Sequence, residues 1–203
     1  MRRILPIVLV VWWILSITAL LVTDKGHWVL ALQETASPAL DALMIAWTAL
    51  AEWFVVIAMG AVISWWSLRG ALFHFAAYGL TGGVVQVLKK MVFDQPRPAA
   101  WFPDGVLTFT ANYPVHTAHA FPSGHAATAF AMAAVVTVLA PRRWMGAVAV
   151  VLAIGVAVSR VYLKVHFLED VVAASVLGWG LTVGLHTLIR DRLHPGGWRD
   201  RVG

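Results

Sequence analysis

The sequence contains no cysteine and little charge. Without cysteine the chain can form no disulfide and has no thiol nucleophile. The absence does not indicate whether the protein faces an oxidising or a reducing compartment. Only 12% of the residues are charged while 60% are hydrophobic, and the mean hydropathy is +0.78. A soluble domain of 203 residues would be less apolar. We therefore predict an integral membrane protein.

Other missing features narrow the function classes. The formal charge of +5 comes without a basic block among aromatics, so nucleic acid is not an expected partner. The sequence has no D-x-D pair for two metal ions, which disfavours two-metal hydrolysis. His116 and His119 have a zinc-like spacing but no further ligands, so ordinary loop histidines are the better interpretation. No metal site is predicted.

Apolar runs predict an all-α, polytopic membrane protein forming a single domain over residues 1–203. We expect six transmembrane helices, at residues 4–23, 51–66, 71–91, 123–140, 144–162 and 167–188. An interfacial amphipathic helix is expected within residues 26–50, with Ser37-Pro38 as its start signal. The interval 92–122 contains five prolines and is predicted to be a loop.

The placement of lysine and arginine predicts the orientation, with the N- and C-termini in the cytoplasm. The cytoplasmic face then receives Arg2, Arg3, Arg69, Arg142, Arg143, Arg190, Arg192, Arg199 and Arg201. The outer face receives the smaller set Lys25, Lys89, Lys90, Arg97, Arg160 and Lys164.

Ionisable residues concentrate at the predicted outer turn between the fifth and sixth spans. Charge at the edge of hydrocarbon is costly and marks a functional site by default. His166 and Asp170 are four positions apart and can share a helix face. The carboxylate can then accept a hydrogen bond from one imidazole N–H, and the other ring nitrogen keeps a free lone pair. Alternatively, Arg160 and Lys164 extend to the interface while His166 and Asp170 only solvate a helix start.

Two further polar segments reach the same predicted outer edge. Lys90 and Arg97 follow the third span, and Ser123-Gly124-His125 opens the fourth. Each has an ordinary explanation: the lysine extends to the interface, Ser123 only caps a helix, and His125 is a packed histidine. All three segments are predicted to reach the same edge, and an accidental convergence of three would be far rarer than any one of these explanations. The convergence therefore favours a functional site.

The combined set suits a multiply charged oxyanion. Arg97, Arg160 and Lys90 are fixed cations, and arginines bind phosphate bidentately. The helix start at Ser123-Gly124 offers free N–H groups and a positive dipole end. This combination predicts a phosphate site.

Two histidines complete the predicted chemistry. His166, oriented by Asp170, suits the nucleophile that forms a phosphohistidine. His125 suits the general acid that protonates the leaving oxygen and then the base that activates water. Such a site would work without a metal or any other cofactor.

These segments resemble the signature of the type-2 phosphatidic-acid phosphatase family, which is related to vanadium haloperoxidases and glucose-6-phosphatase. The signature reads K-x₆-R-P, P-S-G-H and S-R-x₅-H-x₃-D. The matching residues are Lys90, Arg97, Pro98, Pro122, Ser123, Gly124, His125, Ser159, Arg160, His166 and Asp170. The resemblance covers the region from Lys90 to Asp170.

The resemblance implies a six-helix lipid phosphatase with its site at the outer leaflet of a bacterial inner membrane. It implies His166 as nucleophile, His125 as acid and base, and Asp170 as the orienting group. The implied phosphate ligands are Lys90, Arg97, Ser123, Gly124 and Arg160. The implied substrates are undecaprenyl diphosphate, phosphatidylglycerol phosphate, phosphatidic acid or a lipid A phosphate, presented from the bilayer.

Several alternatives stay open. The same site could pass phosphate between lipids, or a non-catalytic binder or transporter could use the cations to hold a headgroup. A vanadate-dependent peroxidase is a remote alternative. Contacts to a headgroup beyond phosphate are expected from Trp101, Tyr113, His116 and His119. The oligomeric state is open, because the small face formed by Ala127, Ala131 and Ala134 could pack within or between chains.

Overall fold

A computed structural model describes residues 6–111 and 113–193, and the regular elements in these ranges are all helical. The α-helices are α1 (Ile7–Val22), α2 (His27–Gln33), α3 (Pro38–Thr48), α4 (Trp53–Trp66), α5 (Leu68–Val87), α6 (Pro98–Trp101), α7 (Gly124–Leu139), α8 (Arg143–Tyr162) and α9 (Leu168–Leu193). A 3₁₀ turn, Ala49–Ala51, follows α3, and a π-helical turn, Leu88–Val92, extends α5. The all-α prediction is confirmed.

Serine caps fix where several helices begin. The Ser37 side chain accepts a hydrogen bond from the Leu40 amide, and Pro38 is the first residue of α3, as its start signal predicted. Ser123 stands in the same position before α7 and accepts from the Ala126 amide at 3.5 Å. The start of α7 is therefore set by the serine of the P-S-G-H segment.

Three helices are long and apolar enough to cross a membrane: Leu68–Val92, Arg143–Tyr162 and Leu168–Arg190. Two bent pairs raise the number to as many as five, namely α1 with α2, bent by 105°, and α3 with α4, bent by 53°. The apolar helix α7 has 16 residues, fewer than the roughly 20 that span a hydrocarbon core. The membrane prediction is confirmed, whereas the count of six spans is not.

The bends have local causes. Gly26, between α1 and α2, has a φ of 90°, a left-handed conformation that glycine adopts without strain. Glu52 is extended, with a ψ of 155°, so the predicted span 51–66 begins as a helix only at Trp53. The predicted interfacial region 26–50 holds two helices, α2 and α3, instead of one. The predicted cytoplasmic termini, with Arg2, Arg3, Arg199 and Arg201, lie outside the described residues.

Helix α7 lies at the centre of the bundle and packs against α5, α8 and α9. The face of α7 that carries small residues is buried within the chain, since Ala127, Ala131 and Ala134 are at most 2% exposed. A Cβ added at Gly178 of α9 would lie 2.1 Å from the Ala127 carbonyl oxygen, so the two helices cross very closely. This crossing brings the beginnings of α7 and α9 to the same end of the bundle.

Candidate active site

The turn between α8 and α9 presents His166. The His166 amide donates to the Arg160 carbonyl, 3.2 Å away, and closes the turn ahead of α9. The helix therefore begins at Leu168, and His166 does not share a helical face with Asp170 as predicted. The two side chains meet nevertheless, because Asp170 Oδ2 accepts the Phe167 amide at 2.9 Å and lies 3.1 Å from His166 Nδ1.

This pair is withdrawn from solvent. His166 is 1% exposed and Asp170 is 0% exposed. Since a carboxylate accepts hydrogen bonds and donates none, we assign the proton of the His166 ring to Nδ1. Nε2 then has a free lone pair. Burial lowers the pKa of the His166 imidazole well below its ordinary value, and the charges of Arg160, Arg97 and Lys89 lower it further. The ring is thus neutral at neutral pH, as a nitrogen nucleophile must be.

Arg160, on the last turn of α8, is a buried cation with unused bonding capacity. It is 3% exposed, and its Nη1 donates to Thr48 Oγ1 at 2.9 Å and to the Tyr113 hydroxyl. Within the described residues, its Nε has no hydrogen-bond acceptor. Buried donors without an acceptor are rare, so this N–H is available to an anion.

Arg97 connects the long loop to the turn that carries His166. Its Nε donates to the Ala118 carbonyl at 2.8 Å, and its Nη1 donates to the Val165 carbonyl at 3.2 Å. The guanidinium is also close enough to influence the His166 ring electrostatically. It therefore has a structural role alongside any contact with substrate.

The two lysines at the end of α5 differ in environment. Lys90, the lysine of the predicted signature, is exposed, whereas Lys89 is only 9% exposed. Lys89 is the one whose charge acts on His166. Both line a cavity of about 450 Å³ together with Arg97 and His116. Sequence spacing could not assign their directions, because the π-helical turn Leu88–Val92 changes the helical register there.

His125 lies at the start of α7, near the cluster formed by His166, Asp170, Arg160, Arg97 and Lys89. Its Nε2 is 3.0 Å from Glu52 Oε1, and the two side chains are 30% and 40% exposed. The charges of His125 and Arg160 both act on His166, so the two imidazoles lie within electrostatic reach. Nothing lies within 4 Å of where a Gly124 Cβ would stand, so the space beside this helix start is open.

The segments predicted to meet do so at one end of the bundle. The Ser123 amide donates to the Asp170 carbonyl at 3.1 Å, and Arg97 contacts the turn beside His166. Within the described part of the chain, no group of three or more histidine, cysteine or acidic side chains is arranged to hold a metal ion.

Sequence reasoning missed Glu52 and Thr48, which contact His125 and Arg160. Glu52 gave one usable signal: it is the only acidic residue between Asp41 and Asp94, within an apolar region.

The four residues predicted to touch a headgroup are spread around the site. Tyr113 bonds to Arg160, and His116 and His119 line the 450 Å³ cavity. Trp101 packs edge-on against Phe167, with their ring centres 6.1 Å apart.

The fold is that of a helical membrane protein, and a family model identifies the class of protein to which it belongs. The model of the PAP2 superfamily matches residues 70–193, more than half of the chain. The chain belongs to the PAP2 superfamily. The predicted family is confirmed, and with it the predicted enzyme class, a phosphoric ester hydrolase that acts on membrane lipids.

Two solved structures share the fold. Aquifex aeolicus LpxE superposes with a TM-score of 0.69 at 22% identity, covering 80% of this chain and 94% of that one. The first transmembrane PAP2 type phosphatidylglycerolphosphate phosphatase from Bacillus subtilis gives 0.66 at 22% identity, covering 94% and 98%. No curated protein sequence matches the chain.

Proposed function

We propose that the protein removes phosphate from a membrane lipid through a phosphohistidine intermediate on His166. The observation that carries the proposal is the buried His166–Asp170 pair, set among cations that include an Arg160 Nε without an acceptor in the described structure. The proposed phosphate ligands are Lys90, Arg97, Ser123, Gly124 and Arg160, and Lys89 adds a further positive charge.

In the first step, the lone pair on His166 Nε2 attacks phosphorus in line with the leaving oxygen. An N–P bond forms and the bond from phosphorus to the lipid oxygen breaks. His125 gives its proton to that oxygen, so the lipid leaves as an alcohol or, from a diphosphate, as a monophosphate. Asp170 holds the His166 ring through Nδ1 and stabilises the positive charge that develops on it.

In the second step, water attacks the phosphorus of the phosphohistidine. His125, now neutral, accepts a proton from this water, and the N–P bond breaks with its electron pair returning to Nε2. Inorganic phosphate leaves and both histidines regain their starting states. If a lipid hydroxyl replaced the water, the same step would transfer phosphate between lipids.

The substrate classes that fit this site are phosphatidic acid, phosphatidylglycerol phosphate and undecaprenyl diphosphate. A lipid A phosphatase and a lipid-to-lipid phosphotransferase are the alternatives on the same residues. A non-catalytic binder or transporter would have no use for a buried imidazole with a free lone pair. We propose that the site lies on the extracytoplasmic side of a bacterial inner membrane, because the sequence predicts most lysine and arginine residues on the cytoplasmic side.

The test is a phosphate-release panel with purified protein in detergent and a chelator. The panel contains phosphatidic acid, phosphatidylglycerol phosphate, undecaprenyl diphosphate and lipid A. We expect release from at least one lipid with the chelator present. A labelled phosphate that appears on a second lipid would identify a transferase. Saturable lipid binding without turnover of any lipid would refute the enzymatic proposal.

A further inference from the structure

The bend between α3 and α4 reaches the site from outside the region that the family model matches. Thr48 Oγ1 accepts from Arg160 Nη1 at 2.9 Å, and Glu52 Oε1 lies 3.0 Å from His125 Nε2. The matched region begins at residue 70, so neither residue belongs to it. One short segment, residues 48–52, thus contacts both a proposed phosphate ligand and the proposed general acid.

Glu52 is placed for this contact by its backbone. It is the extended residue immediately before α4, a position where acidic side chains commonly cap their own helix. Its side chain makes no such capping bond. Instead the carboxylate accepts the Nε2 proton of His125, 73 residues further along the chain.

The electrostatic setting gives the carboxylate a purpose. Burial of His125 and the charges of Arg160 and Lys89 oppose a second proton on the ring, and the hydrogen bond and charge of Glu52 favour it. A general acid must carry that proton when the substrate arrives. Without Glu52, the described charges that act on the ring, those of Arg160 and Lys89, would all be positive.

The pair also borders free space. Glu52 and His125 line a cavity of about 260 Å³ between α4, α5 and α7, with Tyr78 and Thr128 among its other walls. Because Nε2 is engaged by Glu52, the ring has Nδ1 left to serve a leaving oxygen.

We propose that Glu52 is a positioning residue that fixes the ring of His125 through Nε2, so that Nδ1 delivers the proton to the leaving group. This inference rests on the proposed phosphatase function. It assigns to the chain a second carboxylate–histidine pair, in addition to Asp170 with His166.

The experiment compares two substrates that differ in their need for a proton. The alkoxide leaving from phosphatidic acid must be protonated, whereas the nitrophenolate leaving from 4-nitrophenyl phosphate need not be. In Glu52→Gln we expect kcat/KM for phosphatidic acid to fall by about 10- to 100-fold. For 4-nitrophenyl phosphate we expect a loss of less than about threefold. The parameter kcat/KM is used because it reports phosphoenzyme formation, where the leaving group departs.

Two controls separate positioning from folding. Glu34→Gln changes an exposed carboxylate at the end of α2 and should leave both substrates unaffected. Glu52→Asp keeps the charge on a shorter side chain and should recover part of the loss with phosphatidic acid. In a His125→Ala background, Glu52→Gln should cause no additional loss, because the two residues act as a unit.

An equal loss with both substrates would show that Glu52 only supports the fold, and the inference would be wrong. Unchanged turnover of phosphatidic acid, or a full additional loss in His125→Ala, would overturn it as well. These outcomes leave the proposed function intact. Failure of the unmodified protein to release phosphate from any lipid of the panel would instead refute the phosphatase proposal itself.

Discussion

The two histidines of the site are supported by carboxylates in contrasting ways. The side chains of His166 and Asp170 are 2% and 0% exposed, and the residues are four positions apart. Those of His125 and Glu52 are 30% and 40% exposed, and the residues are 73 positions apart. A nucleophile gains from a dry, fixed setting, whereas an acid–base group must exchange protons with leaving groups and water. Burial and exposure thus match the two proposed roles.

The contrast has an energetic side. Removing one partner of a buried hydrogen-bonded pair leaves the other group unsatisfied and costs about 1–3 kcal/mol. A partly exposed pair contributes about 0–1 kcal/mol, because water replaces the lost partner. The pair of Asp170 and His166 should therefore contribute to the stability of the fold, while the pair of Glu52 and His125 should matter mainly for turnover.

The largest expected effect comes from removing the proposed nucleophile. In His166→Ala, phosphate release from the preferred lipid should fall at least about 1,000-fold, because no other group forms the phosphoenzyme. Activity is measured in detergent, with His27→Ala as control, since His27 is exposed at the start of α2. Retained turnover in His166→Ala would remove this residue from the mechanism.

The second effect tests the buried carboxylate. Asp170→Asn should lower kcat by about 100- to 10,000-fold, because the His166 ring loses its orienting charge. It should also lower the free energy of unfolding by about 1–3 kcal/mol, since a buried bonding partner is changed. Glu52→Gln should leave the unfolding midpoint unchanged. Equal thermal stability of the two variants would contradict the distinction between a buried and an exposed pair.

The third effect concerns the helix crossing that aligns the two histidines. In Gly178→Ala the new methyl group would meet the Ala127 carbonyl, so we expect a loss of about 1–3 kcal/mol in unfolding free energy. The matched control is Gly180→Ala, where nothing lies within 4 Å and the helix should be unchanged or up to about 1 kcal/mol more stable. Equal midpoints for the two variants would show that α7 and α9 separate easily.

The smallest effect is a pH dependence of stability. Burial lowers the pKa of His166 in the folded protein, so the unfolded chain binds the extra proton more readily. The contribution of the neutral ring is complete above the unfolded pKa of about 6.5 and is lost as the pH falls below it. The expected slope is at most about 1.4 kcal/mol per pH unit. Unfolding midpoints between pH 8 and 5 should therefore fall more steeply in the unmodified protein than in His166→Gln; parallel curves would argue against a buried neutral ring.

Sequence reasoning succeeded where local rules apply. The capping serine and proline predict the beginning of α3, and apolar length predicts the spans around α5, α8 and α9. The signature residues could be predicted to converge because the polar segments border the same predicted edge. These features depend on neighbours within a few positions, or on the alternation of chain direction.

The rest depends on packing that spacing does not contain. Glu52 finds His125 only because α3 and α4 meet at an angle, and no rule of periodicity predicts a 53° bend. Which of Lys89 and Lys90 turns inward is decided by one π-helical turn. His166 lies in the turn before α9 because its amide donates a hydrogen bond to the Arg160 carbonyl at the end of α8. A pattern of residue types does not reveal this bond.

The two hydrogen bonds of Arg97 imply that a substitution by lysine would not be conservative. Its guanidinium bonds to carbonyls of two separate segments, the loop at Ala118 and the turn at Val165. A lysine would keep the positive charge, but its single nitrogen lacks the planar, forked geometry needed to join both. Exchanging Arg97 for lysine would thus disconnect the long loop from the turn that carries His166, although the net charge of the protein would not change.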